Sequence, residues 1–122
     1  MSSDKTILVV DDDPVTLTLV QKVLKEKGYQ TITAKNGADA IKKVSDKKPD
    51  LMILDIMMPE VNGYDVCNAI KFDDRHKTLP IIILTSRQQE LDSRIGSMMG
   101  IDYLNKPLNR ELLLEKIEAA LS

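Results

Sequence analysis

Three aspartates stand in a row, Asp11, Asp12 and Asp13, directly after the apolar run Ile7-Leu8-Val9-Val10. A fourth, Asp55, closes a second apolar run, Leu51-Met52-Ile53-Leu54. Thr85 and Ser86 follow a third, Ile81-Ile82-Ile83-Leu84, and Lys106-Pro107 follows the weaker segment Asp102 to Asn105. Carboxylates gathered in one place raise each other's pKa unless a cation intervenes. A hard divalent cation, Mg²⁺ or Mn²⁺, removes the conflict. Mg²⁺ takes oxygen ligands, keeps several waters, and commonly completes its shell with phosphate oxygens. In such a site Asp55 could act as a nucleophile and form an acyl phosphate. Phosphoryl transfer asks mainly for positioning and charge neutralisation, which the Lys106 ammonium and Thr85 hydroxyl would supply beside the metal. Each residue also has a plainer use: an Asp ending a strand is a common turn or cap residue, and this describes Asp13 well. The pattern leaves open which two of the three consecutive aspartates bind metal. The coincidence of all these residues at strand ends is what points to a site.

The elements that must bring them together are legible in the hydropathy. Unbroken apolar runs of four residues suit strands covered on both faces, as in a parallel sheet. Gln30 to Ala34 and Asp102 to Asn105 are two further strand candidates. Between the runs, apolar residues recur at helical spacing: Leu17, Val20 and Leu24; Ile41 and Val44; Val66 and Ile70; Leu91, Ile95, Met98 and Met99; Leu113, Ile117 and Leu121. Asp13-Pro14 reads as a cap before a proline at the first helical position, and Gly28 stands where that helix should stop. Ser86 and Gln89 read as a capping box. Five strands alternating with five helices predict an α/β fold, an open doubly wound parallel sheet with helices on both faces, three layers in all. Ligands of such sheets bind beyond the carboxyl ends of the strands. All the residues named above fall there.

The chain has 122 residues, 43% of them apolar and 30% charged, with 17 basic residues against 19 acidic. That is the make-up of one globular domain, residues 1–122 with a core of about 6–121. The balanced charge argues against nucleic-acid binding through bulk positive charge. A single cysteine, Cys67, permits no internal disulfide and fits a reducing compartment. It reads as a packing thiol on the third helix. No apolar run is long enough to cross a bilayer, and Met-Ser-Ser-Asp-Lys at the start lacks an apolar signal core, so a cytoplasmic location is expected. His76 sits in the polar loop Phe72 to Thr78 and reads as a surface residue. A single domain leaves no room for a separate output module. Either output is a surface of this domain, or a module followed Ser122 in a longer protein.

Taken together, Ile7-Leu8-Val9-Val10-Asp11-Asp12-Asp13-Pro14, Leu51 to Pro59 with Gly63, Ile81 to Ser86, and Asp102-Tyr103-Leu104-Asn105-Lys106-Pro107 resemble the receiver domain of two-component response regulators, in particular the chemotaxis-type single-domain regulators. The resemblance covers Thr6 to Leu121, with the motifs in order and at family spacing. It implies a flavodoxin-like (βα)5 fold with strand order 2-1-3-4-5. It implies Asp55 as phosphoacceptor and a Mg²⁺ site made by Asp11, Asp12, Asp55 and the backbone carbonyl of Met57. Thr85 would be the switch hydroxyl, Tyr103 the aromatic that turns inward, and Lys106 the lysine that pairs with phosphoryl oxygens. The Lys106–Pro107 bond would be cis, and Met57 and Arg87 would tune phosphoryl lifetime. The implied partners are a sensor histidine kinase or histidine phosphotransfer protein and a downstream protein. The downstream protein would be bound by a surface of the Leu91–Met99 helix, the fifth strand and the last helix. The protein would be a monomer or an activation-dependent dimer, with no direct nucleic-acid or membrane binding. It would be no enzyme beyond its own phosphorylation and dephosphorylation. A Mg²⁺-dependent aspartyl-phosphate phosphatase is the other enzyme class that such a nucleophile could serve. That class usually has a second carboxylate two residues on, where this chain has Met57. The chain departs from the usual family pattern at Gly100-Ile101-Asp102-Tyr103, one residue short, at Leu108 and at Asn62.

Overall fold

A computed structural model describes residues 5–55, 63–85, 101–105 and 108–121, the side chains of Gly63, Tyr64 and Thr85 excepted. In chain order they form β1 (Thr6–Val10), α1 (Pro14–Glu26), β2 (Gln30–Ala34), α2 (Gly37–Lys47), β3 (Leu51–Asp55), α3 (Gly63–Lys71), β4 (Ile81–Thr85), β5 (Ile101–Asn105) and α4 (Arg110–Leu121). The helical pattern at Leu91–Met99 and the Ser86/Gln89 capping box lie outside the described residues. The helix boundaries follow from local chemistry. The Asp13 carboxylate accepts the Val15 N–H at 3.0 Å, a donor that the first turn of α1 leaves unpaired, and also accepts the Thr16 hydroxyl at 2.9 Å. Gly28, at φ 89°, ends that helix in the left-handed region, where a side chain would be strained. Asn36 caps α2 by accepting the Asp39 N–H at 2.8 Å.

The five strands form one parallel sheet in the order β2-β1-β3-β4-β5. Successive side chains of a strand point to opposite faces, and the sheet therefore carries two cores. Leu8, Val10, Met52 and Leu54 pack with Val44 of α2 and Val66 and Ile70 of α3. Ile7, Val9, Leu51 and Ile53 pack with Val20 and Leu24 of α1 and Leu113 and Ile117 of α4. Two sequence expectations need correction. Ile41 is 39% exposed, because α2 turns Ala40 and Val44 to the sheet instead. The fifth strand begins at Ile101, one residue earlier than its polar pattern suggests, since Ile101 is buried against the first core. Among the described residues no helix is long and apolar enough to cross a membrane.

Cys67 is buried, and burial pushes its thiol up to about 12 against the weaker opposing pull of Lys71. A thiol reagent should therefore modify it only through transient opening, on the order of 100-fold more slowly than in the urea-unfolded chain; equal rates in the two states would contradict the packing. The same shift gives a sign for pH. Below pH 9.0 the thiol is protonated folded and unfolded alike, and between 9.0 and about 12 only the unfolded chain ionises, so this contribution to stability is lost as pH rises through that window.

Candidate functional site

β1 and β3 lie side by side at the centre of the sheet, with Val10 paired to Leu54. The next residue on each strand is an aspartate, so register alone brings Asp11 and Asp55 together. Between β1 and β3 the strand order also reverses, because the chain runs from β1 to β2 on one side and returns to β3 on the other. Asp11 is 1% and Asp55 4% exposed, while Asp12 faces solvent. One carboxylate oxygen from each of the three lies within 4.8 Å of the others. The backbone that holds Asp11 is tied on two sides. Its N–H donates to the Ala34 carbonyl at 3.1 Å, and its Oδ1 accepts the Asp13 N–H at 2.9 Å.

The geometry separates the three consecutive aspartates. Asp11 and Asp12 group with Asp55, whereas Asp13 turns to α1 as its cap. Asp13→Ala should therefore cost about 1 kcal/mol of stability in urea melts, while disturbing Mg²⁺ affinity far less than Asp12→Ala does. If the two variants lost Mg²⁺ affinity equally, this division of roles would be wrong.

The other expected residues are placed to different degrees. Thr85 ends β4, one residue beyond Leu84, which pairs with Asp55, and Thr85 itself pairs with Asn105 at the end of β5. β5 therefore ends at the same rim, one residue before Lys106 in the sequence. Tyr103 is half-buried against the first core, and its N–H donates to Asp102 Oδ1 at 2.8 Å. The Thr85 side chain, Met57, Arg87, Lys106 and Pro107, with the expected cis bond, lie outside the described residues. His76 lies in a largely exposed loop but is not itself fully exposed. It is half-buried, and its Nε2 stands 3.5 Å from Ser45 Oγ. No spacing in the sequence signals that pair, because α2 and the loop after α3 meet only in three dimensions.

Residues 7–118 match the response regulator receiver domain. The chain belongs to that family. The receiver is 37% identical over 117 residues to Protein PilH of Pseudomonas aeruginosa, covering 95% of this chain and 97% of PilH. It is 38% identical over 119 residues to the alkaline phosphatase synthesis transcriptional regulatory protein PhoP of Bacillus subtilis, covering 97% of this chain but 49% of PhoP, so it spans about half the length of that relative. Among solved structures it resembles the response regulator TrrA of Thermotoga maritima in complex with Mg²⁺–BeF, with a TM-score of 0.83 and 38% identity over 96% of this chain and 99% of that one. Among the described residues the donor set of the receiver suits a hard cation: three carboxylates, two of them withdrawn from water. Buried carboxylates at such a separation are costly unless positive charge offsets them.

Proposed function

We propose that this receiver is a switch thrown by phosphorylation of Asp55, the phosphoryl group coming from a sensor histidine kinase or a histidine phosphotransfer protein. The observation that carries the reading is the convergence of Asp11, Asp12 and Asp55 at the β1/β3 switch point. In the transfer, an Asp55 oxygen forms a bond to phosphorus as the phosphorus–nitrogen bond of the donor phosphohistidine breaks. The electron pair of that bond returns to the imidazole nitrogen. Asp11, Asp12, Asp55 and the Met57 carbonyl would hold Mg²⁺ or Mn²⁺. When bound, the metal neutralises the charge of the phosphoryl oxygens. Burial holds Asp55 in one place at the end of a rigid central strand, which is the positioning such a displacement needs.

Phosphorylation adds about −1.5 to −2 of charge and three acceptor oxygens. Thr85 and Lys106 answer that charge from the ends of β4 and β5. Movement of Thr85 toward the phosphoryl group makes room for Tyr103 to turn inward. The surface of β5, α4 and the Leu91–Met99 segment then shifts between two arrangements and binds a downstream protein. A full reversal from 1:99 to 99:1 takes about 5.5 kcal/mol of differential stabilisation. Met57 and Arg87, each two residues beyond a site residue in the sequence, would set how long the phosphoryl group lasts. The receiver acts in the cytoplasm as a single domain, monomeric or dimeric on activation. It catalyses only its own phosphorylation and dephosphorylation and binds neither nucleic acid nor membrane. The length ratio to PhoP favours a second reading, in which the chain is the receiver of a longer regulator with a C-terminal output domain.

Acetyl phosphate with Mg²⁺ is expected to add one phosphoryl group per chain by intact mass, mapped to Asp55, and chelation of the metal is expected to stop it. Steady turnover of small phosphate esters without a stable adduct would instead support the phosphatase reading.

A further inference from the structure

A second cavity, of about 650 Å³, opens at the other pole of the sheet, between the C-terminal end of α2 and the loop that leads from α3 into β4. Asp50 and Pro80 line it, and they immediately precede β3 and β4, so the cavity lies a full strand length from Asp55, about 16 Å. Its polar lining is rich in donors. The Ser45 hydroxyl and the His76 imidazole face each other at 3.5 Å, the outer limit of a hydrogen bond. Among the described residues, the Lys48 ammonium and the Thr78 hydroxyl have no hydrogen-bond or ion-pair partner. Asp50 brings a carboxylate to the lining, and Asp73 stands outside it. Asp50 Oδ2 accepts the Thr6 N–H at 2.8 Å, and Asp73 is bound by Arg75 at 2.8 and 3.2 Å.

The walls are also fixed in place. Lys48 sits at φ 49°, in the left-handed region, with its N–H bonded to the Val44 carbonyl at 3.1 Å. The facing loop is pinned from inside by the Lys71 ammonium, which donates to the Lys77 and Leu79 carbonyls. Ser45 and Lys48 from one segment and His76 and Thr78 from another therefore line one cavity, bringing it two hydroxyls, an imidazole and a lysine. A planar carboxylate is best matched by a free guanidinium fork, and the fork of Arg75 is taken by Asp73. A lysine point charge with hydroxyl donors around it suits a tetrahedral phosphate.

We infer that this cavity is a second binding site, for the phosphate group of a small molecule, separate from the carboxylate rim and independent of phosphorylation at Asp55.

The test is an amide chemical-shift titration of the whole chain in Mg²⁺-free buffer, with inorganic pyrophosphate as the probe and citrate as the carboxylate comparison. Pyrophosphate is expected to give saturable shifts at Ser45, Lys48, His76 and Thr78. Ser45→Ala and Lys48→Asn should each weaken binding about fivefold. Both variants preserve the fold: alanine is a better helix former than serine, and asparagine tolerates the left-handed region. Shifts that do not saturate, that concentrate at Asp11, Asp12 and Asp55, or that are unchanged in the variants would overturn the assignment. Equal or tighter binding of citrate would overturn the phosphate class.

Discussion

Asp55→Asn is expected to reduce covalent labelling by acetyl phosphate and Mg²⁺ to background, with the fold retained. The amide has nearly the shape of the carboxylate, so the buried end of β3 keeps its packing. Its nitrogen is not a nucleophile and its oxygen carries no formal charge, so no acyl phosphate can form there. One of the three clustered carboxylates is also lost, and the attraction for a divalent cation should fall with it. A thermal melt reads this second effect. A ligand that binds only the folded state stabilises it by about 2.7 kcal/mol at a hundred times its Kd. The original chain should thus melt higher as Mg²⁺ is added, and the variant should gain much less. Labelling of the variant to the same stoichiometry would place the phosphoacceptor elsewhere. An unchanged Mg²⁺ response would remove Asp55 from the metal site while leaving the acceptor assignment standing.

The largest expected effect on stability is at Ile53. This residue is fully buried in the middle of β3, flanked in register by Val9 on β1 and Ile82 on β4. Ile53→Ala removes buried carbon from a site that neighbouring strands cannot collapse to fill, at a cost of about 2–5 kcal/mol. A domain of this size has a stability on the order of 6–18 kcal/mol, so the loss is a large fraction of the whole. At about 4 °C per kcal/mol the melting temperature should fall by roughly 8–20 °C. Ile41→Ala is the control. The residue type is the same and the position also falls on an apolar stripe, but Ile41 is 39% exposed and should cost less than about 1 kcal/mol. Similar losses at the two sites would contradict the helix rotation that places Ala40 and Val44 against the sheet.

Much of the architecture is readable before any coordinates because the strands are buried on both faces. Ile7-Leu8-Val9-Val10, Leu51-Met52-Ile53-Leu54 and Ile81-Ile82-Ile83-Leu84 have no polar side to hide, so each run marks its own strand. Helix α1 announces itself by chemistry as well as period, through Asp13, Pro14 and Gly28. Ile41 is misread because an apolar residue at helical spacing marks a stripe without saying where its edge lies. On α2 that edge is set by which residues reach the sheet. The weak strand ending at Asn105 is found, but its start at Ile101 is not, since an edge strand with Asp102 exposed has little alternation to show.

The candidate site divides in the same way. Sequence alone determines that acidic residues end the first and third strands, because strand ends are local and the residues beside them are adjacent in the chain. Apart from the family resemblance, residue type cannot choose between Asp11, Asp12 and Asp13, since consecutive residues differ only in direction. That choice is made by the pairing of Val10 with Leu54, which sets Asp11 next to Asp55, and by the first turn of α1, whose free N–H groups claim Asp13. The meeting of Ser45 with His76 belongs wholly to tertiary structure. They lie 31 positions apart, on segments with no shared period, and only the packing of α2 against α3 brings a hydroxyl and an imidazole to one cavity.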